Sequence, residues 1–183
     1  MFICAGAMEQ FPFAKPIGIG LIDSAIRLTR LILREQPSLL LFLGSAGSYD
    51  DKIPELTIFE SFNATNIELS FLANQSYTPI NNAISAEDLN VSHETKTAIV
   101  NSSNYITTDS RAGKLMIKMG ITLENMEFYS VLSVAKEFHL PARGIFCVTN
   151  HTDSAAHETF IKRHAEAMKL LDSYVRTHYA EYL

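Results

Sequence analysis

Residues 38–48 read SLLLFLGSAGS, an unbroken apolar run followed by small residues around Gly44 and Gly47. The run is too short for an ordinary helix and glycines stop it, which is typical of a strand buried on both faces of a sheet. The pattern recurs in residues 97–107, TAIVNSSNYIT, and 142–150, ARGIFCVTN, whose apolar runs also end in polar residues. Three such strands predict a sheet that other elements cover on both sides.

Helical patterns alternate with these strands. Apolar residues recur at helical spacing from Leu21 to Arg34, and Pro37 closes that helix. Further helices are predicted over three ranges: 110–119, 128–138 and 155–182. The alternation favours a three-layer α/β/α architecture, which we predict as a single domain over residues 1–183.

Three other segments are less regular. Residues 2–5 and 13–19 predict two short strands that pair as a hairpin. Residues 55–64, ELTIFESFNA, alternate between apolar and polar and predict a half-exposed strand. The polar residues 73–96 predict a loop.

The composition excludes several classes of function. With 15 Lys and Arg against 20 Asp and Glu, the net charge of −5 argues against a nucleic-acid partner. No apolar run approaches the roughly 18 residues of a membrane span, and MFICAGAMEQF contains no basic residue. We therefore expect a cytoplasmic protein without a membrane partner. Because Cys4 and Cys147 are too few for a disulfide framework or a metal site, we predict no metal and no cofactor.

Residues 121–127, ITLENME, predict a further strand end. Small or polar residues end this strand and each of the three predicted buried strands, and they fall into four groups: 44–47, 101–105, 125–127 and 149–151. Taken singly, each group has a structural explanation, such as a glycine turn or an acidic residue in the first turn of a helix. In open α/β sheets, however, ligands bind outside the carboxyl ends of the strands. The convergence of the four groups therefore predicts a binding site at one edge of the sheet.

Two blocks carry a resemblance to a known family. Residues 16–51, PIGIGLIDSAIRLTRLILREQPSLLLFLGSAGSYDD, and 120–158, GITLENMEFYSVLSVAKEFHLPARGIFCVTNHTDSAAHE, resemble the nucleoside phosphorylase/nucleosidase superfamily. The resemblance implies a phosphorylase/hydrolase-like fold with a central mixed, twisted sheet. It also implies cleavage of the bond between ribose and a purine base, in a homo-oligomer.

The resemblance assigns roles to individual residues. Glu127 would accept hydrogen bonds from the ribose 2′- and 3′-hydroxyls, because a carboxylate can take two donors at once. The other implied contacts are Met126 against the sugar, Tyr105 stacked on the purine, Asn125 near the base or sugar, Ser45 and Gly44 at phosphate or the 5′ side, and Gly18 in a close-approach turn beside them.

Asn150 departs from the pattern of relatives that use 6-amino purines, which carry an acid there. An amide cannot transfer a proton, but it can donate one hydrogen bond and accept another. That capacity suits N7 and O6 of a 6-oxopurine. The resemblance therefore implies that Asn150 contacts the departing base of an inosine- or guanosine-like substrate.

The residues that would hold phosphate match the family's pattern less well. Phe42 occupies a position where hexameric phosphorylases carry an arginine. One alignment makes Glu9 the carboxylate that activates water, whereas a gapless alignment, which we favour, leaves out the first family strand. Arg163 falls near an arginine that assists the base-protonating acid, although the solvent-exposed face of the last helix is the better explanation.

Three functions follow from these observations. The first is a purine nucleoside phosphorylase that takes a 6-oxopurine nucleoside, with phosphate as co-substrate. The second is a nucleosidase, similar to futalosine hydrolase, that uses water. The third is a relative that binds a nucleoside without turning it over.

Overall fold

The computed structural model describes residues 1–87, 89 and 93–183. The strands are Phe2–Cys4 (β1), Ala14–Pro16 (β2), Leu40–Ser48 (β3), Ile58–Thr65 (β4), Ala83–Ser85 (β5), Thr97–Ser102 (β6), Leu123–Asn125 (β7) and Ala142–His151 (β8). The helices are Leu21–Glu35 (α1), Leu69–Leu72 (α2), Ser110–Lys118 (α3), Phe128–Glu137 (α4) and Ala156–His178 (α5), and a 3-10 turn follows at Ala180–Tyr182.

The strands form one mixed sheet, part of which closes on itself. β1, β2 and β3 are parallel, and β8 runs parallel to β3 along its whole length. β8 also pairs antiparallel with β4, β4 pairs parallel with β6, and β6 pairs parallel with β7. β7 then returns to the end of β3. These pairings make a closed circuit of five strands, with polar strand ends gathered at its rim.

Helices cover both faces of the sheet. Leu28 and Ile32 of α1 and Val131 of α4 join a core cluster with the β3 side chains Leu40 and Phe42. On the opposite face, α5 packs its own apolar side chains against the alternate residues of β1, β3 and β8. The predicted three-layer α/β/α architecture with a mixed sheet is confirmed. None of the helices in the described ranges is long and apolar enough to cross a membrane.

Local chemistry explains where α1 begins and ends. Gly20 precedes the helix with a φ of 83°, a left-handed conformation that glycine adopts at little cost. Gln36 ends it in a left-handed conformation, and its backbone N–H donates to the carbonyl of Ile32. Pro37 then prevents another turn.

Three sequence predictions need correction. The strands β1 and β2 pair in parallel rather than as a hairpin. The nine residues between them carry the chain back past β1, so that β2 starts beside the first residue of β1 and runs in the same direction. β4 is mostly buried rather than half exposed, since β8 and β6 flank it on either side. The predicted loop 73–96 contains the short strand β5, and its residues 88 and 90–92 lie outside the described part of the chain.

Candidate active site

A cavity of about 340 Å³ opens at the rim where the strands end. It is lined by Ala5, Gly6, Ala7, Met8, Glu9, Ile19, Ser45, Ala46, Gly47, Tyr105, Ile106, Glu124, Asn125, Met126, Glu127, Thr149, Asn150, Ala156, His157 and Phe160. The loop after β1, four strand ends and the beginnings of α4 and α5 therefore build one site. The cavity brings together the four polar groups singled out in the sequence.

A β-bulge directs Asn150 into this cavity. Ala46 pairs with Val148 but Gly47 pairs with Asn150, so Thr149 is an extra residue in β8. Because successive strand residues point to opposite faces, the extra residue turns Asn150 to the face that Gly47 occupies. The Oδ1 atom of Asn150 accepts from Thr149 Oγ1 at 2.9 Å, and its Nδ2 donates to the His151 carbonyl at 3.1 Å.

Glu127 is a buried carboxyl group at the start of α4, with 5% of its surface exposed. Its Oε1 accepts from the Gly20 N–H at 2.9 Å, and its Oε2 accepts from Asn125 Nδ2 at 3.1 Å and the Met126 N–H at 3.2 Å. Burial, reinforced by the charge of Glu9, raises the pKa of Glu127 to about 8. The group is therefore poised to change charge near neutral pH.

Glu9 lies in the turn after β1 and is bonded to the end of β3. The Ser45 N–H donates to its Oε1 at 2.8 Å, and the Ser45 hydroxyl donates to the same oxygen. Burial raises the pKa of Glu9, while these bonds and the nearby His164 act in the opposite direction. His164 also contacts the carbonyl of Met8 through Nε2 at 2.9 Å, so α5 holds the turn that carries Glu9.

Two other predicted residues, Asn125 and Tyr105, also line the cavity. Asn125 lines the cavity, but its amide bonds Ser102, Glu127 and the N–H of Phe128, so it orients Glu127 and the start of α4. Tyr105 lies at the mouth of the cavity with 76% of its surface exposed. A ring in that position is available to stack on a bound base.

Three predicted residues lie outside the cavity lining. Gly44 faces the Phe42 ring beneath Glu9, and Gly18 forms a left-handed turn, with a φ of 91°, against Asp23. Arg163 pairs with Glu55 and Glu166 on the outside of α5. Arg163 is therefore a surface ion-pair residue, and the prediction that it assists catalysis is not supported by its position.

Glu124 was not among the residues predicted from the sequence. This carboxyl group is 7% exposed, lines the cavity and accepts from the Thr107 N–H at 3.0 Å. Burial raises its pKa. The signal was present, because Leu123 belongs to the core and its neighbour in a strand must point the other way.

The charges in the cavity are acidic. Glu9, Glu124 and Glu127 line it, whereas no Lys or Arg is among its described lining residues. Within the ranges that the structure describes, no three His, Cys, Asp or Glu side chains form a group that could hold a metal ion. The site is therefore suited to a neutral ligand rich in hydrogen-bond donors.

Comparison with known proteins relates the chain to a family. The family model described as Phosphorylase superfamily matches residues 4–178. Comparison with curated protein sequences gives no match.

Solved structures share the fold at low identity. A Helicobacter pylori 5′-methylthioadenosine/S-adenosylhomocysteine nucleosidase mutant with 5′-methylthioadenosine in its active site is 16% identical, with a TM-score of 0.76 over 92% of this chain and 79% of that chain. A futalosine hydrolase mutant of H. pylori is 16% identical, with a TM-score of 0.78 over 92% and 80%. The S. pneumoniae nucleosidase with a transition-state inhibitor is 13% identical, with a TM-score of 0.75 over 94% of each chain. Because the family model spans nearly the whole chain and the fold agrees, the protein belongs to the phosphorylase superfamily.

Proposed function

We propose that this protein hydrolyses the N-glycosidic bond of purine nucleosides, with water rather than phosphate as the nucleophile. The observation that carries the proposal is the pairing of Ser45 with Glu9. Family resemblance assigns Ser45 to phosphate or to the 5′ side of the ligand, but both of its donors already point at a carboxylate. The nucleosidase alternative therefore replaces the phosphorylase as the preferred function.

Electrostatics disfavours phosphate in this cavity. A phosphate near Ser45 would meet the Glu9 carboxyl group, and no Lys or Arg among the described lining residues would offset its charge. Two negative charges at about 4 Å repel each other by several kcal/mol at the effective dielectric constant of a protein surface. Water has no such penalty.

Glu9 is the candidate general base. Its carboxylate is fixed by Ser45 at the end of β3, and its raised pKa brings the group toward the range in which it can take a proton from water. Glu127 is the candidate ribose-binding group, because bond cleavage develops positive charge on the sugar that a nearby carboxylate stabilises.

Asn150 is the candidate contact to the leaving base. Its side chain lines the cavity, and an amide can give one hydrogen bond to O6 and accept another from N7 once that nitrogen has taken a proton from solvent water. We therefore propose inosine- or guanosine-like nucleosides as substrates. The solved relatives named above are, by name, a nucleosidase for 5′-methylthioadenosine and S-adenosylhomocysteine and a futalosine hydrolase.

The test is base release with and without phosphate. Inosine, guanosine, adenosine, futalosine and 5′-methylthioadenosine are incubated in phosphate-free buffer, and free base and reducing sugar are quantified. We expect release without phosphate, and no ribose 1-phosphate by phosphorus NMR when phosphate is added. Release that requires phosphate would identify a phosphorylase, and binding of nucleosides without any release would identify a non-catalytic relative.

Replacement of Glu9 tests the role of the base. In Glu9→Gln the amide can still accept from Ser45, but it cannot take a proton from water, so kcat should fall by about 100-fold or more. The matched control is Glu137→Gln, an exposed glutamate in the last turn of α4, which should retain the wild-type rate. A Glu9→Gln rate within a few-fold of wild type would contradict the assignment.

A further inference from the structure

We propose that His164 is a positioning residue, which fixes the backbone of the turn that carries Glu9 and so holds the Glu9 carboxyl group in place. The inference rests on the proposed function, because it takes Glu9 as the base that activates water. His164 is not among the described residues that line the cavity. It therefore acts through the turn and not on the ligand.

The turn after β1 contains a strained residue. The Glu9 N–H donates to the Gly6 carbonyl at 2.9 Å, which closes the turn. Within it, Ala7 has a φ of 54°, a left-handed conformation that is unfavourable for a residue with a Cβ. Such a conformation persists only where surrounding contacts hold it. The bond from Gln10 Nε2 to the Ala7 carbonyl, at 2.8 Å, is local and exposed, so the position of Glu9 depends on bonds to the rest of the protein.

Bonds to two distant elements hold the turn. The side chain of Glu9 accepts from the Ser45 N–H, at the end of β3, at 2.8 Å. Nε2 of His164, on α5, lies 2.9 Å from the carbonyl oxygen of Met8, the residue before Glu9. The first bond fixes the carboxyl group and the second fixes the backbone that bears it. His164 is therefore the backbone anchor of the base.

The contact with Met8 defines how the imidazole is used. A carbonyl oxygen only accepts, so Nε2 of His164 must carry a hydrogen and donate it. Nδ1 of the same ring is buried and makes no hydrogen bond within the part of the chain that the structure describes. The bond through Nε2 is therefore the polar contact that the side chain contributes.

His164 is itself held firmly. It is 6% exposed, and its ring centroid lies 5.0 Å from that of Phe160, one helical turn earlier on α5. Phe160 lines the cavity. The helix is 23 residues long and packs Ala167 and Leu171 into the core. A side chain that is locked by packing on a rigid element positions its partner more precisely than a loop residue does.

This arrangement predicts that turnover depends on His164 more than substrate binding does. The groups proposed to bind the sugar and the base, Glu127 and Asn150, lie at the start of α4 and in β8. Loss of the bond to Met8 would let the turn relax and displace the Glu9 carboxyl group from its water. Displacement of a catalytic group by about 1 Å can lower a rate by about 100-fold. kcat should therefore fall while KM stays nearly constant.

The experiment measures kcat and KM for the most rapidly cleaved nucleoside in the wild type, His164→Leu and His164→Gln. In His164→Leu no donor reaches Met8, so kcat should fall at least tenfold with KM within about twofold of wild type. In His164→Gln the side-chain amide can again donate to the carbonyl, so kcat should return to within about threefold of wild type. A wild-type kcat in a folded His164→Leu protein, or a glutamine variant as slow as the leucine variant, would overturn the proposal.

The matched control is His178→Leu, the same exchange at the exposed last residue of α5. It should keep the wild-type kcat. An equal fall in kcat in His178→Leu would show that such an exchange disturbs the helix as a whole, and it would overturn the specific role of His164.

Amide hydrogen exchange tests the positioning without catalysis. The Ser45 N–H donates to Glu9 Oε1, so its exchange rate, read by NMR, reports whether the carboxyl group stays in place. That rate should rise at least tenfold in His164→Leu and stay within about threefold of wild type in His164→Gln. If no nucleoside is cleaved but exchange follows this pattern, the hydrolase proposal fails and the positioning of Glu9 by His164 holds. Unchanged Ser45 exchange in His164→Leu overturns it.

A further variant guards against a folding defect, which thermal unfolding of each protein reports. His164→Asn keeps a polar side chain, but its amide is one methylene shorter than that of glutamine and does not reach the Met8 carbonyl. If His164→Leu does not fold, the asparagine variant should show the same fall in kcat and the same faster exchange at Ser45. Wild-type values of both in His164→Asn overturn the proposal.

Discussion

At the scale of single residues, the cavity is lined by glutamates whose pKa values are raised. Glu127 is the clearest case, since burial and the charge of Glu9 raise its pKa to about 8 despite donors from the backbone at Gly20 and Met126. The folded, ligand-free protein therefore holds this proton more tightly than an exposed glutamate does. A sugar diol that donates to this group would favour its ionised form, so ligand binding and proton release are linked.

The pH dependence of stability tests the raised pKa of Glu127. The folded protein holds this proton more tightly than the unfolded chain, whose carboxyl pKa is near 4.5, so the stabilisation is complete below about pH 4.5 and is lost as the pH rises toward about 8. Between pH 5.5 and 7.5 the free energy of unfolding should fall more steeply in the wild type than in Glu127→Gln. The expected difference is about 1.4 kcal/mol per pH unit.

Urea unfolding at four pH values across this range measures both slopes. Glutamine keeps an oxygen for the Gly20 N–H, so the variant loses the titration without losing that hydrogen bond. Parallel slopes for the two proteins would contradict the raised pKa.

At the scale of the elements, the bulge in β8 and Gly47 opposite it determine which side chains face the cavity. Gly47 belongs to the one position of β3 where the paired residues on both sides are polar and face the cavity. Any side chain there would fill the gap between Glu124 and Asn150. Because Gly47 has no side chain, β3 leaves room for a ligand at this position.

Replacement of this glycine should remove binding while leaving the fold intact. In Gly47→Ala the new Cβ would lie 3.1 to 3.3 Å from atoms of Glu124 and Asn150, so it occupies the space over the sheet. The φ angle at Gly47 is not left-handed, so alanine adds no backbone strain. We expect kcat/KM to fall at least tenfold, with a thermal unfolding midpoint within a few degrees of wild type.

Steady-state kinetics and thermal unfolding of the same preparation check this. A Gly47→Ala protein with wild-type kcat/KM would contradict a ligand position over β3. A large fall in the unfolding midpoint would instead indicate that the tight contacts disturb the strand.

At the scale of the whole molecule, a buried ion pair joins two strands of the sheet and is hydrogen-bonded to Tyr174 of α5. Glu60 and Arg143 are 1% and 3% exposed and form an ion pair between β4 and β8. Burial alone would raise the pKa of Glu60, but hydrogen bonds from His93, Arg143 and Tyr174 hold it below its usual value. The stabilisation from this pKa shift is present at neutral pH and is lost as the pH falls through the folded-state pKa.

Disruption of the Glu60–Arg143 pair should destabilise the protein strongly. Glu60→Gln removes the carboxylate of this buried ion pair, a change that costs roughly 3–5 kcal/mol in comparable cases. The matched control is Glu55→Gln, which breaks the partly exposed pair with Arg163 and should cost about 1 kcal/mol or less. Urea unfolding at pH 7 measures both, and equal costs would contradict the structural role of the buried pair.

Much of the fold was predictable because it depends on local patterns. The apolar run at Leu40 to Leu43 is buried on both faces, and α1 begins and ends within a residue or two of its predicted bounds. The parallel pairing of β1 and β2 was not predictable from the same patterns, because short parallel strands and short antiparallel strands have similar amino-acid compositions. Pairing direction depends on contacts with β3 that are distant in sequence.

The amino-acid sequence by itself determined the layers, the family and the residue types that meet at the strand ends, because burial pattern and motif spacing are local properties of a chain. Only the tertiary structure decided that Glu9 takes both donors of Ser45, that Arg163 faces outward and that Glu124 lies opposite Asn150. The physical reason is register. One extra residue in β8 and one glycine in β3 set which side chains share a face, and hydrogen bonds between distant strands fix that choice.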